Sequence, residues 1–288
     1  MTVRALFVGG TNGIGYAMAC RVAAELAPST VVISGRTKPA ELPHANMDFR
    51  RVDASSMREI KKFTDNFKST QKQDKLDLLV MSQGIMTMSG RTETSEGIDQ
   101  KMAIHYYGKQ LLVKELLPVL KDDARVIIVY DSLYGGPSKL DWDDLDLKKN
   151  FGLKKSADHC TSMTDAMIQT YALQQKQNGG SSKRQFVHAW PGGVATNLLR
   201  DLPWYVRLPG KVVGSLIAVS PDTCAQNLLR GIPETVKVDE ADGRFYSYCN
   251  NKGKPISKKE PWTEEQLKKV EDHTWTLIDQ ALALEDGQ

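Results

Sequence analysis

The stretch that decides the fold is Gly9-Gly10-Thr11-Asn12-Gly13-Ile14-Gly15, which follows the apolar run Val3–Val8 and opens an amphipathic segment. Glycines at a strand-to-helix turn let the backbone turn tightly and approach a phosphate group closely. The positive end of the helix dipole favours the same ligand. The stretch therefore predicts a nucleotide-binding loop, with an ordinary strand-to-helix turn as the alternative.

Short β-branched runs alternate with amphipathic segments along the rest of the chain. The predicted strands are Val3–Val8, Thr30–Ser34, Phe49–Val52, Leu76–Ser82, Arg125–Tyr130 and Gln185–Ala189. The predicted helices include Gly15–Leu26, Met57–Thr70, Gly97–Leu120, Ala157–Gln177 and Pro221–Arg230. This alternation predicts an α/β fold, a single Rossmann-like domain over residues 1–288 with a doubly wound parallel sheet and helices on both faces. Ligands of such sheets bind beyond the carboxyl ends of the strands.

The composition argues against several classes of protein. The 288 residues carry Lys+Arg 38 against Asp+Glu 35, a net charge of +3 that indicates no nucleic-acid surface. No apolar run reaches the roughly 18 residues of a membrane span, and the first residues show no signal pattern. The four cysteines are scattered and predict no metal site. We expect a cytoplasmic protein without a membrane anchor whose partner is a small molecule.

Several motifs, in the same order, resemble the short-chain dehydrogenase/reductase superfamily. The GxxxGxG spacing of the first loop is similar to its T-G-x-x-x-G-I-G loop. Pro191-Gly192-Gly193-Val194-Ala195-Thr196 is similar to its P-G-x-V-x-T segment, which holds the nicotinamide carboxamide. Further matches are Arg51–Ala54 at the adenine site, Met81–Gly84 at the Asn-Asn-Ala-Gly position, and Glu96–Asp99, Leu140–Leu145 and Gly243–Ser247, which point to the retinol-dehydrogenase-like branch.

This resemblance implies a nicotinamide dinucleotide cofactor. The residues expected to bind it are Gly9, Thr11, Asn12, Gly13, Ile14, Gly15, Arg36, Asp53, Ala54, Ser82, Gln83, Gly84, Pro191, Gly192, Val194 and Thr196. The second strand ends in Gly35-Arg36-Thr37-Lys38, without the acidic residue that binds both ribose hydroxyls of NAD. A guanidinium suits a 2′-phosphate, so we predict NADP(H) rather than NAD(H), with a solvated basic turn as the alternative.

The resemblance breaks down at the proton relay, for which the family uses an Asn, a Ser, a Tyr and a Lys four residues after the Tyr. In register, these positions hold His105 (Asn), Asp131 with Ser132 beside it (Ser), His159 (Tyr) and Met163 (Lys). The only Tyr-x-x-x-Lys spacing runs from Tyr248 to Lys252, too far along the chain to meet the nicotinamide. The family's relay is therefore absent.

The residues at these positions suggest replacement chemistry. An imidazole at position 159 titrates near neutral pH, and Asp131 can act as a base or orient that ring. We predict a catalytic cluster of His159, Asp131, Ser132 and His105, with a decayed site as the alternative.

The predicted substrate pocket is apolar and aromatic. Tyr130 and Tyr134 flank the Asp131–Ser132 turn, and Met163 supplies an apolar wall. In the family the segment 197–219 forms a substrate lid, and here it contains Trp204 and Tyr205. A surface helix packed on the core is the alternative for this segment.

Three functions fit these residues. The first is an NADP(H)-dependent oxidoreductase acting on an apolar or aromatic carbonyl, imine or enone. The second is a redox-neutral cyclase, isomerase, dehydratase or pericyclase of secondary metabolism. The third is a catalytically dead NADP(H) sensor or scaffold. The resemblance also implies a monomer, or a homodimer formed through Gly97–Leu120 and Ala157–Gln177.

Overall fold

The core of the protein is a seven-stranded parallel sheet. A computed structural model describes residues 2–26, 28–70, 75–177, 182–198, 202, 203, 205 and 218–284. Its strands are β1 (Val3–Val8), β2 (Ser29–Gly35), β3 (Met47–Arg51), β4 (Leu76–Met81), β5 (Leu120–Val129), β6 (Gln185–Ala189) and β7 (Tyr246–Cys249), in the order β3-β2-β1-β4-β5-β6-β7. The strand order reverses between β1 and β4, so a crevice opens at the carboxyl ends of these two strands.

Helices cover both faces of the sheet. They are α1 (Gly13–Glu25), α2 (Met57–Thr70), α3 (Gln100–Met102), α4 (Gly108–Leu116), α5 (Leu153–Gln177), α6 (Pro221–Ala241) and α7 (Glu264–Ala283). The first and sixth pack against one face, and the second, fourth, fifth and seventh pack against the other. This arrangement confirms the predicted doubly wound α/β fold. None of the described helices is both long enough and apolar enough to cross a bilayer.

The continuous apolar run of β1 follows from this double cover. Successive side chains of a strand point to opposite faces, so Leu6 and Val8 join the core under α2 and α4, whereas Ala5 and Phe7 join the core under α1 and α6. All four are buried. A strand that is covered on both faces buries side chains of both orientations, which is why the sequence of β1 shows no alternation of apolar and polar residues.

The predicted helix Gly97–Leu120 is broken into several pieces. Between α3 and α4 lies a π-helical turn, Ala103–Tyr107, in which the Gly108 N–H bonds back to the Ala103 carbonyl. After α4 a 3₁₀ turn leads into β5, which begins at Leu120. A Cβ at position 108 would lie 2.3 Å from the Ala54 carbonyl oxygen, so glycine is required for this close approach. π turns are uncommon and concentrate at functional sites.

Two elements were absent from the sequence prediction, and one helix is longer than predicted. Strand β7 is short and mixes polar with aromatic residues, and α7 lies near the C-terminus. Helix α6 does not end at Arg230 but continues through Pro233 to Ala241, because its second half buries Thr235, Val236 and Asp239. None of these differences affects the crevice between β1 and β4.

Candidate active site

The glycine loop after β1 is packed directly against the loop after β4. Gly9 has a φ of +78°, and a Cβ there would lie 2.4 Å from the Gln83 backbone nitrogen. A Cβ on Gly15 would lie 2.2 Å from the Ser82 hydroxyl oxygen. The Asn12 side chain caps α1 by accepting a hydrogen bond from the Gly13 N–H at 2.7 Å. Glycine is thus needed at both contact points, and the N-terminus of α1 is held at the crevice.

A cleft of about 390 Å³ runs from this loop along the carboxyl ends of the strands. Most of the predicted cofactor residues line it, namely Gly9, Thr11, Asn12, Gly13, Ile14, Arg36, Asp53, Ala54, Ser82, Gln83, Gly84, Pro191 and Thr196. Three others do not. Gly15 packs behind the loop against Ser82, Gly192 packs against Asn251, and Val194 forms a β-bridge with Val219.

Two charged side chains, Asp53 and Arg36, lie at the adenine end of the cleft, and only Asp53 is hydrogen-bonded to another described residue. Asp53 accepts hydrogen bonds from the Ser55 backbone N–H (3.0 Å) and hydroxyl (2.7 Å). Arg36 is exposed at the end of β2, and no hydrogen bond or ion pair with another described residue engages its guanidinium. An unengaged guanidinium at this position is available to an anionic ligand.

The side-chain amide of Gln83 indicates whether the cleft suits a dinucleotide. Its side chain lines the cleft and is buried, and neither amide atom has a hydrogen-bond partner among the described residues. A buried amide without partners costs free energy unless a ligand or water supplies them. With the close-packed glycines and the capped N-terminus of α1, the cleft fits the cofactor that the family resemblance implies. Residues of the glycine loop would hold the phosphates, and Pro191 and Thr196 would hold the nicotinamide end.

His105 projects from the π turn to the cleft wall. Its Nε2 lies 2.9 Å from the Ile85 carbonyl oxygen, a contact in which the ring N–H donates. The other ring nitrogen, Nδ1, is buried without a partner in the described structure. Burial, together with the Lys109 ammonium, lowers the pKa of His105 to about 4. The ring is therefore neutral at physiological pH and presents an acceptor rather than a proton.

Tyr130 and Asp131 follow directly on β5 and line the same wall. The Tyr130 ring lies 4.8 Å from the His105 ring and stacks on the His188 ring at 6.5 Å between centroids. Burial raises the pKa of Tyr130 well above its usual value. Asp131 is half-buried, its carboxylate accepts a hydrogen bond from the Leu133 N–H at 3.2 Å, and burial raises its pKa.

His159 does not reach the cleft, contrary to the prediction for this residue. Both ring nitrogens are engaged by the backbone of the loop before α5: Nε2 accepts from the Asp141 N–H (2.9 Å), and Nδ1 pairs with the Leu145 carbonyl (3.0 Å). Burial lowers the pKa of His159. A neutral imidazole has one donor and one acceptor nitrogen, so this ring satisfies one N–H and one carbonyl of the covered loop at once. His159 therefore anchors this loop and does not pair with Asp131.

Several other predicted residues also lie away from the cleft. The Ser132 hydroxyl is buried and donates to the Cys249 carbonyl at 2.8 Å. Met163 is part of the core beneath α5, where a side chain fully enclosed by apolar neighbours cannot meet a ligand. Tyr134 and Tyr205 are exposed and do not line the cleft. Trp204 and most of the segment 197–219 lie outside the described residues.

The structure brings to the site a lysine that the sequence reasoning missed. Lys109 lies on α4 and is fully buried, with its Nζ donating to the Val129 carbonyl at 3.1 Å and sitting 5.0 Å from the centre of the Tyr130 ring. It forms no ion pair with any described residue. Burial lowers the pKa of Lys109 to about 7. A sequence signal existed, because residues four apart share a helix face and Lys109 stands four after His105.

A network of three largely buried polar side chains lies beneath the cleft wall that carries Tyr130 and Asp131. Asp165 of α5 contacts His188 of β6 through Oδ1 (2.7 Å) and the Lys259 ammonium through Oδ2 (2.5 Å). Lys259 also donates to the carbonyls of Ser132 and Gly135, at 2.8 and 2.9 Å. This network holds the turn after β5, which carries Asp131, against α5 and β6. No spacing in the sequence connects its members.

Within the described ranges, no group of three His, Cys, Asp or Glu side chains is placed to hold a metal ion. His105 and Asp131 both line the cleft, whereas His159 lies elsewhere. The titratable groups at the strand ends are thus those of His105, Tyr130 and Asp131, with Lys109 behind them.

Comparison with known proteins adds to this geometry. The family model for short chain dehydrogenase matches residues 4–138. Oxidoreductase AN1596 of Emericella nidulans is 34% identical over 208 residues, which cover 68% of this chain and 60% of that protein. The NmrA-like family domain-containing oxidoreductase notO of an Aspergillus species is 30% identical over 264 residues, 86% of this chain and 70% of that protein.

Among solved structures, the NADPH-bound carbonyl reductase from chicken fatty liver aligns with a TM-score of 0.60 at 16% identity, over 90% of this chain and 100% of that one. At this identity the likeness concerns the fold alone. The chain spans only 60% of AN1596, so that relative extends beyond the shared region. The family-model match over residues 4–138, the sequence identity to notO, the parallel sheet and the glycine loop lead to one conclusion: the chain belongs to the short-chain dehydrogenase family.

Proposed function

We propose that the protein is an NADP(H)-dependent oxidoreductase that acts on an apolar or aromatic small molecule with a carbonyl, imine or enone group. The observation that carries the proposal is a single cleft that joins the glycine loop and Arg36 at one end to His105, Tyr130 and Asp131 at the other. A bound nicotinamide cofactor supplies or accepts the hydride in such reactions. This chain's residues orient the two reactants and move the proton.

The far end of the cleft supports an apolar substrate. Its walls there include the side chains of Ile85, Ile104, Tyr130, Trp190 and Leu198. Apolar and aromatic walls with few polar groups are typical of small-molecule sites and favour ligands that bury carbon surface. Tyr130 and His105 supply polar atoms among these walls.

The redox-neutral alternative depended on a His159–Asp131 pair for enolisation or elimination. The described structure keeps these residues apart, since His159 is bound to the loop Asp141–Leu145 and Asp131 to the Leu133 N–H. No other described imidazole hydrogen-bonds to Asp131. The geometry therefore supports hydride chemistry with a single proton donor better than a His–Asp base.

Turnover tests the proposal directly. We expect NADPH absorbance at 340 nm to fall when the protein is mixed with aromatic ketones, diketones such as 9,10-phenanthrenequinone, cyclic imines or enones. NADPH binding is measured in parallel by the change in its fluorescence. Binding without absorbance change across the ketones, diketones, imines and enones would contradict the proposed activity and leave the sensor or scaffold alternative.

The cofactor preference is tested at Arg36. Arg36→Leu is expected to weaken NADPH binding about 10- to 100-fold, because a charge-assisted hydrogen bond contributes about 1.5–3 kcal/mol. The Kd for NADH should change less than about threefold, since NADH lacks the 2′-phosphate. Lys38→Leu, two residues on and outside the cleft, is the matched control. An equal loss of affinity for NADPH and NADH in Arg36→Leu would show that Arg36 does not bind the 2′-phosphate.

A further inference from the structure

The family's proton donor is missing, so the proton must come from another group. Among the described residues, three side chains with titratable groups line the substrate end of the cleft: His105, Tyr130 and Asp131. The His105 ring N–H is committed to the Ile85 carbonyl, and burial lowers the pKa of its other nitrogen too far for it to carry a proton at neutral pH. The Asp131 carboxylate accepts from the Leu133 N–H. The Tyr130 hydroxyl, in contrast, has no hydrogen-bond partner among the described residues.

The surroundings of Tyr130 hold its ring in place. His105 packs at one side (4.8 Å between ring centres), and His188 stacks against it with an angle of 8° between the rings. The Lys109 ammonium lies over the Tyr130 ring, 5.0 Å from the ring centre. Packing on this many sides leaves the hydroxyl, at the end of the ring, as the part of the side chain that is free to meet a ligand in the cleft.

Lys109 is an unusual residue to find behind that ring. A lysine that is fully buried without a carboxylate partner destabilises the folded state, because its ammonium loses its hydration. Its one hydrogen bond, to the Val129 carbonyl, leaves two of its three donors unused in the described structure. Such a costly arrangement beside a cleft points to a function rather than to packing.

We infer that Tyr130 delivers the proton to the substrate oxygen and that Lys109 is the positioning residue that favours this transfer. The inference rests on the proposed function and assigns the proton donor of that same site. A tyrosine from the end of β5 and a lysine from α4 would thus do the work that the family assigns to two residues of one helix. Tyr130 touches the substrate in this assignment, and Lys109 acts through the Tyr130 ring.

The step balances as follows for a carbonyl substrate. A bound, reduced nicotinamide would supply the hydride to the carbonyl carbon, and the π electrons of the C=O bond would move to the carbonyl oxygen. The O–H bond of Tyr130 breaks, its proton binds the substrate oxygen, and the electron pair stays on the phenolate. Water then returns a proton to Tyr130, so that one hydride and one solvent proton convert the carbonyl to an alcohol.

The charge on Lys109 gives the reaction a characteristic pH dependence. A cation behind the ring favours the phenolate that forms as the proton leaves. Among the described residues, the titratable groups that face Lys109 are His105 on the preceding turn, Cys160 of α5, Tyr130 directly after β5 and His188 of β6. None of these is a carboxylate. Since burial lowers the pKa of Lys109 to about 7, the charge is present below that pH and lost above it.

The first experiment removes the hydroxyl alone. Tyr130→Phe keeps the ring and its packing, and kcat/KM for 9,10-phenanthrenequinone is expected to fall about 10²- to 10⁴-fold, the range typical of general acids. The Kd for NADPH should stay within about threefold of that of the wild type, because Phe keeps the ring surface of this wall. Tyr134→Phe, four residues on, is the matched control, since Tyr134 is exposed and outside the cleft.

The second experiment compares kinetics with a direct titration. For the wild type we expect kcat/KM to fall about fivefold or more between pH 6 and pH 9, whereas Lys109→Met should be slower at pH 6 and nearly flat. In NADPH-saturated protein labelled with [13Cε]lysine, the Lys109 resonance is identified by its loss in Lys109→Met. Its titration midpoint should coincide with the kinetic midpoint, because kcat/KM measured at saturating NADPH reports the NADPH complex that binds the carbonyl compound.

The outcomes separate the two levels of the proposal. A wild type that binds NADPH but turns over no compound contradicts the proposed function and this assignment with it. An active wild type whose Tyr130→Phe variant keeps kcat/KM within threefold overturns the assignment and leaves the function standing. A Lys109 midpoint more than one pH unit from the kinetic midpoint, or an unchanged pH profile in Lys109→Met, overturns the role of Lys109.

Discussion

Asp165→Ala is expected to lower the free energy of unfolding by about 3–5 kcal/mol, the cost typical of removing one partner of a buried ion pair. Asp165 is fully buried between His188 and Lys259, with contacts of 2.7 and 2.5 Å. Without it, the Lys259 ammonium stays largely buried without its counter-charge, and the turn after β5 keeps a hydrogen bond to α5 from the Gly136 N–H to the Ser162 hydroxyl but loses the one through Lys259 and Asp165. Urea unfolding followed by circular dichroism measures the change.

A second aspartate on the same helix is the control. Asp158 pairs with the exposed Lys154 one turn apart, and Asp158→Ala should cost less than about 1 kcal/mol, as exposed pairs do. Asp165→Asn should fall between the two, because an amide keeps hydrogen bonds but removes the charge. Equal, small effects for Asp165→Ala and Asp158→Ala would show that the buried network contributes little to stability.

Lys109→Met is expected to stabilise the protein at neutral pH, in contrast to most core substitutions. The pKa of Lys109 is about 7 in the folded protein against 10.5 as the ordinary value, so the folded state holds this proton less tightly than the unfolded state. As the pH falls from about 10.5 to about 7, the unfolded chain takes up the proton and the folded protein does not. The wild type therefore loses stability over this window, by as much as about 5 kcal/mol.

The variant has no such proton, so its advantage should be largest at pH 6–7 and disappear toward pH 10.5. Methionine leaves the Val129 carbonyl without its donor, but that cost is the same at every pH. The measurement is the difference in urea midpoint between variant and wild type at several pH values. Lys114→Met, on the exposed side of α4, should give a difference that does not vary with pH. A pH-independent difference for Lys109→Met would mean that Lys109 stays charged in the folded protein.

Where the sequence predicted the fold well, the local signals and the tertiary structure agree. The β1 and β6 bounds are those predicted, Val3–Val8 and Gln185–Ala189, because each strand is a short, mostly apolar run with a glycine or proline within two residues of its end. Helix α7 also had a local signal. Thr263 and Gln266 form a capping box, with the hydroxyl bound to one backbone N–H and the amide to the other, and this spacing is visible in the sequence.

In the candidate site, some positions could likewise be predicted from local sequence and others could not. Residues of the glycine loop act through the backbone, so their place follows from their position in the chain. His159 acts through a side chain whose direction depends on which side of α5 faces the cleft. Helix α5 is buried almost all round between Ser156 and Ala172, so its hydrophobic period does not orient it. Lys109 was missed for a related reason, because a lysine in a helix is ordinarily solvated.

The contacts of the glycine loop have a thermodynamic consequence. Gly9 rests on the backbone of Gln83, and Gly15 rests on Ser82, so the loops after β1 and β4 are already locked together in the free protein. A ligand that binds along this wall does not need to order it, and little conformational entropy is lost there on binding. Affinity at this end of the cleft is then governed by the contacts themselves, and substitutions that loosen the wall reduce affinity without removing a contact.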